Sequence, residues 1–183
     1  LNTEDFATYK PSLNLLENKT ILVTGAGSGI GKAAAISYAK YGAQVLLLGR
    51  TESKLELVYD EITQAGHVTP IMLPLDLISS DESLYQDLRK TLEENLDSLD
   101  GLLLNAGILG PLSPLETISF DDWSTVLQIN THSCFLIIKA CLPLMKRSSN
   151  SSILFTSSSV GRKARAFWGP YAVSKFAVEG MMQ

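Results

Sequence analysis

The chain has 183 residues, a formal net charge of −4 at neutral pH and 45% hydrophobic residues, enough apolar side chains for one core of ordinary domain size. Its mild acidity, with no basic run, excludes the electrostatic footprint of a nucleic-acid binder or of an anionic membrane surface and points to a small soluble partner. Two cysteines and two histidines offer no metal-ligand spacing and no disulfide framework, so no metal is expected, and Cys134 and Cys141 read as core thiols in a reducing compartment.

The opening residues, LNTEDFATYKPSLNLLENK, lack the basic start and long apolar centre of a signal peptide. No apolar segment is expected to reach the roughly 18 residues of a membrane span. Residues 1–18 are read as an N-terminal extension, and the cytoplasm as the location. Short β-like runs then follow at 21–24 (ILVT), 44–49 (QVLLLG), 69–75 (TPIMLPL), 100–107 (DGLLLNAG) and 151–157 (SSILFTS). Apolar runs without polar alternation suit strands covered on both faces, and the amphipathic segments between them imply right-handed crossovers. The expected fold is therefore α/β: a doubly wound parallel sheet in a Rossmann-type three-layer arrangement, forming one domain over 1–183. Ser119, placed before Asp121, Asp122 and a periodic series through Trp123, Val126, Leu127 and Ile138, signals a long helix, and Gly169-Pro170 opens the last one. The chain stops at Gly180-Met181-Met182-Gln183 inside an uncapped helix, so further C-terminal strands are expected to be absent from this stretch.

The first strand runs into Thr24-Gly25-Ala26-Gly27-Ser28-Gly29-Ile30-Gly31 and an alanine-rich helix. Glycines there permit a tight turn and let helix N-terminal amides approach a pyrophosphate, whose charge the helix dipole favours. The spacing is G-x-x-x-G-x-G, on Gly25, Gly29 and Gly31, rather than G-x-G-x-x-G. After the second strand, Gly49-Arg50 stands where a carboxylate would bond a ribose 2′-hydroxyl. A guanidinium there can pair with a 2′-phosphate, so NADP(H) is preferred over NAD(H).

Tyr171 and Lys175 lie four apart on the last helix and face the same way. A phenol with a pKa near 10 is a poor base at neutral pH, and bringing it to about 7 takes roughly 4 kcal/mol. A cation within about 4–6 Å supplies a shift of about 1–3 units, and Lys175 is a suitable one.

Taken together, TGAGSGIG, Asp76 after the third strand, Asn105-Ala106-Gly107, Asn130, the serine cluster in FTSSSVG (155–161) and YAVSK (171–175) resemble the short-chain dehydrogenase/reductase family. The likeness runs from about Lys19 to the last residue. It is marked for the uncharacterised bacterial YciK-like branch, which carries similar FTSSSVGR and SKFA-EGMMQ segments.

The resemblance implies Tyr171 as general acid/base, with Lys175 depressing its pKa and holding the nicotinamide ribose hydroxyls, and Asn130 holding a water of the proton relay. Ser158, thirteen residues before the tyrosine and three before Gly161, would hydrogen-bond the substrate oxygen. Gly25, Ser28, Gly29, Ile30 and Gly31 would meet the pyrophosphate and Arg50 the 2′-phosphate. Asp76 would accept from the adenine amino group, Leu77 would line that pocket, and Asn105, Ala106 and Gly107 would pass beside the adenosine ribose.

The activity so implied is hydride transfer between NADP(H) and a small carbonyl or alcohol, in a homodimer or homotetramer built on the helices at 120–146 and from 170 onward. The alternative is a non-catalytic NADP(H)-binding regulatory or scaffold protein, against which the complete Asn, Ser, Tyr and Lys set argues. Family members continue with two more strands, a Pro-Gly segment bordering the nicotinamide and a loop over the substrate, which this stretch lacks. Arg162, Lys163 and Arg165, beside Phe167 and Trp168, read as solvated loop charges or subunit contacts, with an arginine meeting an acidic substrate group as the alternative.

Overall fold

The computed structural model describes residues 9–183, so residues 1–8 of the expected extension lie outside the described residues. Five strands, β1 (Thr20–Thr24), β2 (Gln44–Gly49), β3 (Ile71–Pro74), β4 (Gly101–Leu104) and β5 (Ser152–Phe155), form one sheet. All neighbours are parallel, in the order β3-β2-β1-β4-β5. Each crossover carries a helix: α1 (Gly29–Lys40), α2 (Glu52–Gln64), α3 (Glu82–Asn95), and the pair α4 (Phe120–Leu127) and α5 (Ser133–Met145), with α6 (Gly169–Met182) after β5. This is the doubly wound architecture expected from the sequence.

Side chains alternate along a strand, and here both faces are apolar. Ile21, Val23, Val45, Leu47 and Leu103 pack towards α1 and α2, whose Ala35, Ala39, Leu55, Val58 and Ile62 are buried there. Leu22, Leu46, Leu48, Leu102 and Leu104 pack on the other side against Leu88 and Leu92 of α3 and Ile137, Cys141 and Leu144 of α5. The small residues of α1 allow a close approach to the sheet at no cost in helix propensity.

The helix starts read at Ser119 and Gly169-Pro170 are present, and one not read from the sequence joins them: the Asp81 carboxylate accepts from Ser83 N–H at 2.9 Å before α3. Ser119 Oγ accepts from Asp122 N–H at 3.0 Å before α4 and donates back to the Asp122 carboxylate at 2.7 Å. Pro170 occupies the first turn of α6, where its missing N–H has no helical partner to lose.

Several expectations are corrected, among them the strands read at 69–75 and 151–157, which are Ile71–Pro74 and Ser152–Phe155. The strand read at 100–107 ends at Leu104, because the amides of Asn105 and Ala106 donate to Thr24 Oγ1, at 2.9 and 3.0 Å, instead of continuing the ladder. Phe120–Met145 is 26 residues long and, by length and composition, apolar enough to cross a membrane, although no such segment was expected. Its Leu136, Ile137, Cys141, Leu144 and Met145 are buried in the sheet core. Within it, Gln128–His132 widens into a π-helical turn.

At the opposite end of the sheet from the glycine turn, Asp100 joins two strands. Its carboxylate accepts from Lys19 Nζ at 2.9 Å, Thr20 N–H at 3.0 Å and Ser148 Oγ at 2.8 Å. Burial is the largest single influence and pushes its pKa up, but the Thr20, Lys19 and Ser148 donors together outweigh it and hold the carboxyl below its ordinary value.

Candidate active site

In the order β3-β2-β1-β4-β5 the direction of winding reverses between β1 and β4, and a crevice opens there at the carboxyl ends of the strands. The glycine turn forms its wall. Gly25 and Gly29 have φ of +67° and +54°, a region L side chains rarely adopt. A Cβ at Gly31 would collide with the Gly25 carbonyl oxygen and lie 2.6 Å from Asn105 Nδ2, so the turn can fold back onto α1 only with glycine there. Ser28 caps α1 in extended backbone with no side-chain cap bond, which leaves the first-turn amides available to an anion.

Of the expected cofactor residues, Gly25, Ser28, Arg50, Asp76, Leu77, Ala106 and Gly107 line one open groove. Gly27, Thr51 and Lys54 also line it, although sequence reasoning did not single them out. The available signal was a lysine one helical turn beyond Arg50. The Asp76 carboxylate is oriented by accepting from Ile78 N–H at 3.1 Å.

Asn105, Gly29, Ile30 and Gly31 stand outside the groove lining. Asn105 instead fastens three strand ends: its Nδ2 donates to the Thr24 carbonyl at 3.2 Å and its Oδ1 accepts from Thr156 Oγ1 at 3.2 Å. Ile30 is exposed and Gly31 is buried behind the turn.

A second cluster continues from the groove. Lys175 is 4% exposed; its Nζ donates to the Thr156 carbonyl at 2.6 Å and lies 5.6 Å from the centre of the Tyr171 ring. Burial lowers the Lys175 pKa, and burial pushes the Cys134 thiol up to about 11. The thiol is therefore neutral under ordinary conditions.

Gly107 joins the two parts of the site. A Cβ there would lie 3.3 Å from Asn130 Oδ1 and 3.7 Å from Lys175 Nζ. Gly161 packs directly on α6, where a Cβ would be 2.9 Å from the Lys175 carbonyl oxygen. That close approach accounts for the glycine three residues after Ser158.

Ser158 is extended and caps the short 3-10 turn Ser159–Gly161, its Oγ accepting from Val160 N–H at 3.4 Å. The Oγ of Ser157 is buried and bonds no backbone group. Asn130, 1% exposed, spends both amide hydrogens: Nδ2 donates to the Ile108 carbonyl at 2.9 Å and to Ser174 Oγ at 3.0 Å. His132 faces Gln128 Oε1 at 3.2 Å instead of the cluster. Among the described residues no group of three or more histidines, cysteines or carboxylates could hold a metal.

The chain and its fold have counterparts among known proteins. Residues 19–183 match the family model described as short chain dehydrogenase. The uncharacterised oxidoreductase YciK of Escherichia coli K12 is 46% identical over 96% of this chain and 69% of its own. A short chain dehydrogenase from Pseudomonas syringae is 50% identical, with a TM-score of 0.93 over 96% of this chain and 71% of that one. One from E. coli CFT073, solved in complex with NADPH, is 46% identical, with a TM-score of 0.91 over 94% of this chain and 72% of that one. The chain spans about two thirds of the length of the curated relatives it matches. A family match over nearly all of the chain, joined to a parallel sheet with a glycine turn at its winding reversal, has one reading: the chain belongs to the short-chain dehydrogenase family.

Proposed function

We propose that the protein is an NADP(H)-preferring oxidoreductase acting on a small carbonyl or alcohol, with Tyr171 as general acid/base. The observation that carries this reading is the buried Lys175 ammonium, tied to Thr156, set beside the Tyr171 ring and close to Gly107, which lines the same groove as Arg50. The groove suits a dinucleotide: a positive-φ glycine turn, unbonded helix-start amides and a cationic mouth. The NADPH complex of the E. coli CFT073 relative supports the same cofactor.

Bound NADP(H) supplies or accepts hydride at nicotinamide C4. Arg50 would pair with the 2′-phosphate, the backbone of Gly25 to Ser28 and the first-turn amides of α1 would cradle the pyrophosphate with Gly31 behind the turn, and Asp76 and Leu77 would hold the adenine, with Ala106 and Gly107 beside its ribose. Lys175, beside the Tyr171 ring, donates to the nicotinamide ribose. Tyr171 passes its proton to the oxygen of the reduced carbonyl, or removes it from an alcohol. Ser158 donates to that oxygen, and Asn130 offers the second lone pair of Oδ1 to a relay water. We further propose a homodimer or homotetramer through α4, α5 and α6, on which Phe120, Phe135 and Phe176 are exposed.

The test follows NADPH oxidation by the intact protein across a broad panel of aldehydes and ketones, beside Tyr171→Phe. Turnover that the variant loses while still binding NADPH is expected. A protein that binds NADPH, oxidises none of it, and is indistinguishable from its Tyr171→Phe variant would instead be a dinucleotide-binding regulatory or scaffold protein.

A further inference from the structure

We infer that the turn Arg165–Trp168 recognises an anionic group on the substrate, so that the substrate class is a carbonyl compound with an apolar body and a carboxylate at its far end. The inference rests on the proposed oxidoreductase reading and adds the identity of what that site accepts.

Four side chains lie in sequence from the buried ammonium outward. Lys175 Nζ is 5.6 Å from the centre of the Tyr171 ring, that ring is 6.0 Å from the Trp168 ring and tilted by 57°, and the Arg165 guanidinium carbon is 5.7 Å from the Trp168 ring. Tilted rings and a guanidinium over an aromatic face are attractive arrangements, so Arg165 is held one ring beyond the acid/base. Its charge is uncommitted: among the described residues it forms no ion pair, whereas Arg162 of the same loop bonds Glu179 at 3.3 Å. A planar guanidinium presented in this way matches a carboxylate in two-point geometry.

The turn itself is strained. Trp168 N–H donates to the Arg165 carbonyl at 3.3 Å, and Phe167, the third of its four residues, has φ of +68°. That position in a turn favours glycine. Phe167 occupies it while staying 59% exposed, so packing in the core does not explain the aromatic side chain. Strain of this kind gathers at ligand sites, and an exposed ring there offers an apolar surface. Across from it, the segment 115–118 closes on the end of the turn: a Cβ at Gly169 would lie 3.0 Å from Ile118 Cδ1 and 3.6 Å from Leu115 Cδ1. A carbonyl at Tyr171, an apolar body against Trp168 and the exposed Phe167 ring, and a carboxylate at Arg165 make up the proposed substrate placement.

The test uses the intact NADPH-loaded protein and two pairs of probes. 4-Carboxybenzaldehyde and its methyl ester report turnover, and 4-(hydroxymethyl)benzoate and its methyl ester report calorimetric binding without reaction. The carboxylates should bind tighter than the esters by about tenfold or more, the scale of a charge-assisted bond. Arg165→Ala should remove that margin, mostly through KM, with Arg165→Lys restoring part of it. Phe167→Gly should leave or raise the melting temperature yet weaken both members of each pair. Equal affinity for carboxylate and ester, or an Arg165→Ala loss that is the same for both, overturns the inference. Because calorimetry reads binding whether or not aldehyde is reduced, an absence of NADPH oxidation with the carboxylate margin intact would count against the proposed activity and leave this recognition standing.

Discussion

Asn130 and Ile108 exchange two hydrogen bonds: Asn130 Oδ1 accepts from Ile108 N–H at 2.8 Å, and Asn130 Nδ2 donates to the Ile108 carbonyl at 2.9 Å. The pair pins the segment after β4 to the π-helical turn and keeps Gly107 against both Asn130 and Lys175.

Replacing Asn130 by alanine leaves both Ile108 backbone groups without these partners. Ile108 is partly exposed, so water replaces part of the loss and each bond contributes about 1 kcal/mol. Urea denaturation should therefore show a lower midpoint, and turnover should fall with it. Asn130→Asp keeps the shape but turns an acceptor towards the Ile108 carbonyl, so it should recover little. An Asn130→Ala midpoint equal to wild type would remove the pairing from the account of the site.

Arg50 lines the groove and forms no ion pair among the described residues. Arg50→Ala should weaken NADPH binding by about tenfold or more, the scale of a charge-assisted contact. NADH, which has no 2′-phosphate, should bind as before. Fluorescence titration with each nucleotide separates the outcomes, and equal losses would argue for a general effect on the loop.

Three serines stand in a row at 157–159, and only Ser158 is assigned to the substrate oxygen. Ser158→Ala should lower kcat by about 10²-fold, as removal of a transition-state donor does, with NADPH affinity kept. Ser157→Ala removes a buried hydroxyl that bonds no backbone group and should leave the rate within a few-fold of wild type, as should Ser159→Ala. Steady-state kinetics that ranked the three alike would undo the assignment.

Asp100 links acidity to stability. Its folded pKa lies below the ordinary carboxylate value, so the unfolded chain binds the proton more readily. Its contribution is present above the unfolded pKa of about 3.9 and is lost as pH falls through the lower folded value. Asp100→Asn should be less stable than wild type at pH 7, and the gap should narrow on acidification below that range. Thermal melts across pH give the comparison, and a gap that stays constant with pH would mean that charge is not the cause.

Much of the fold was readable because it rests on local pattern. ILVT and QVLLLG are apolar on both faces and became internal strands, and the turn places Gly25 and Gly29 at positive φ and Gly31 where a Cβ would collide with the Gly25 carbonyl. Features set by distant partners were not readable. The end of β4 depends on the Thr24 hydroxyl, 81 and 82 residues away from the amides that it accepts. The π-helical turn accompanies Asn130 bonding to Ile108, which the helical periodicity of 120–145 does not reveal. Strand alternation offered no guide to the serines, because β5 ends at Phe155 and Ser159 already belongs to a 3-10 turn. The place of Lys54 in the groove follows from α2 setting it beside Gly27, whose added Cβ would lie 3.0 Å from the lysine Cβ.

The π-helical turn at Gln128–His132 also sets a phase. Such a turn amounts to one residue inserted into an α-helix, and each residue of an α-helix advances the azimuth by about 100°. The insertion lets one continuous helix serve two masters: α5 directs Leu136, Ile137 and Leu144 into the sheet, while Asn130 still points at Ile108. Deleting one residue within 128–132 would therefore act as a rotation about the helix axis more than as a shortening. With α5 held by the core, α4 would swing by roughly a quarter turn, carrying Val126 out of its buried seat beside Gly110 and uncoupling the groove from a sheet that had not itself changed.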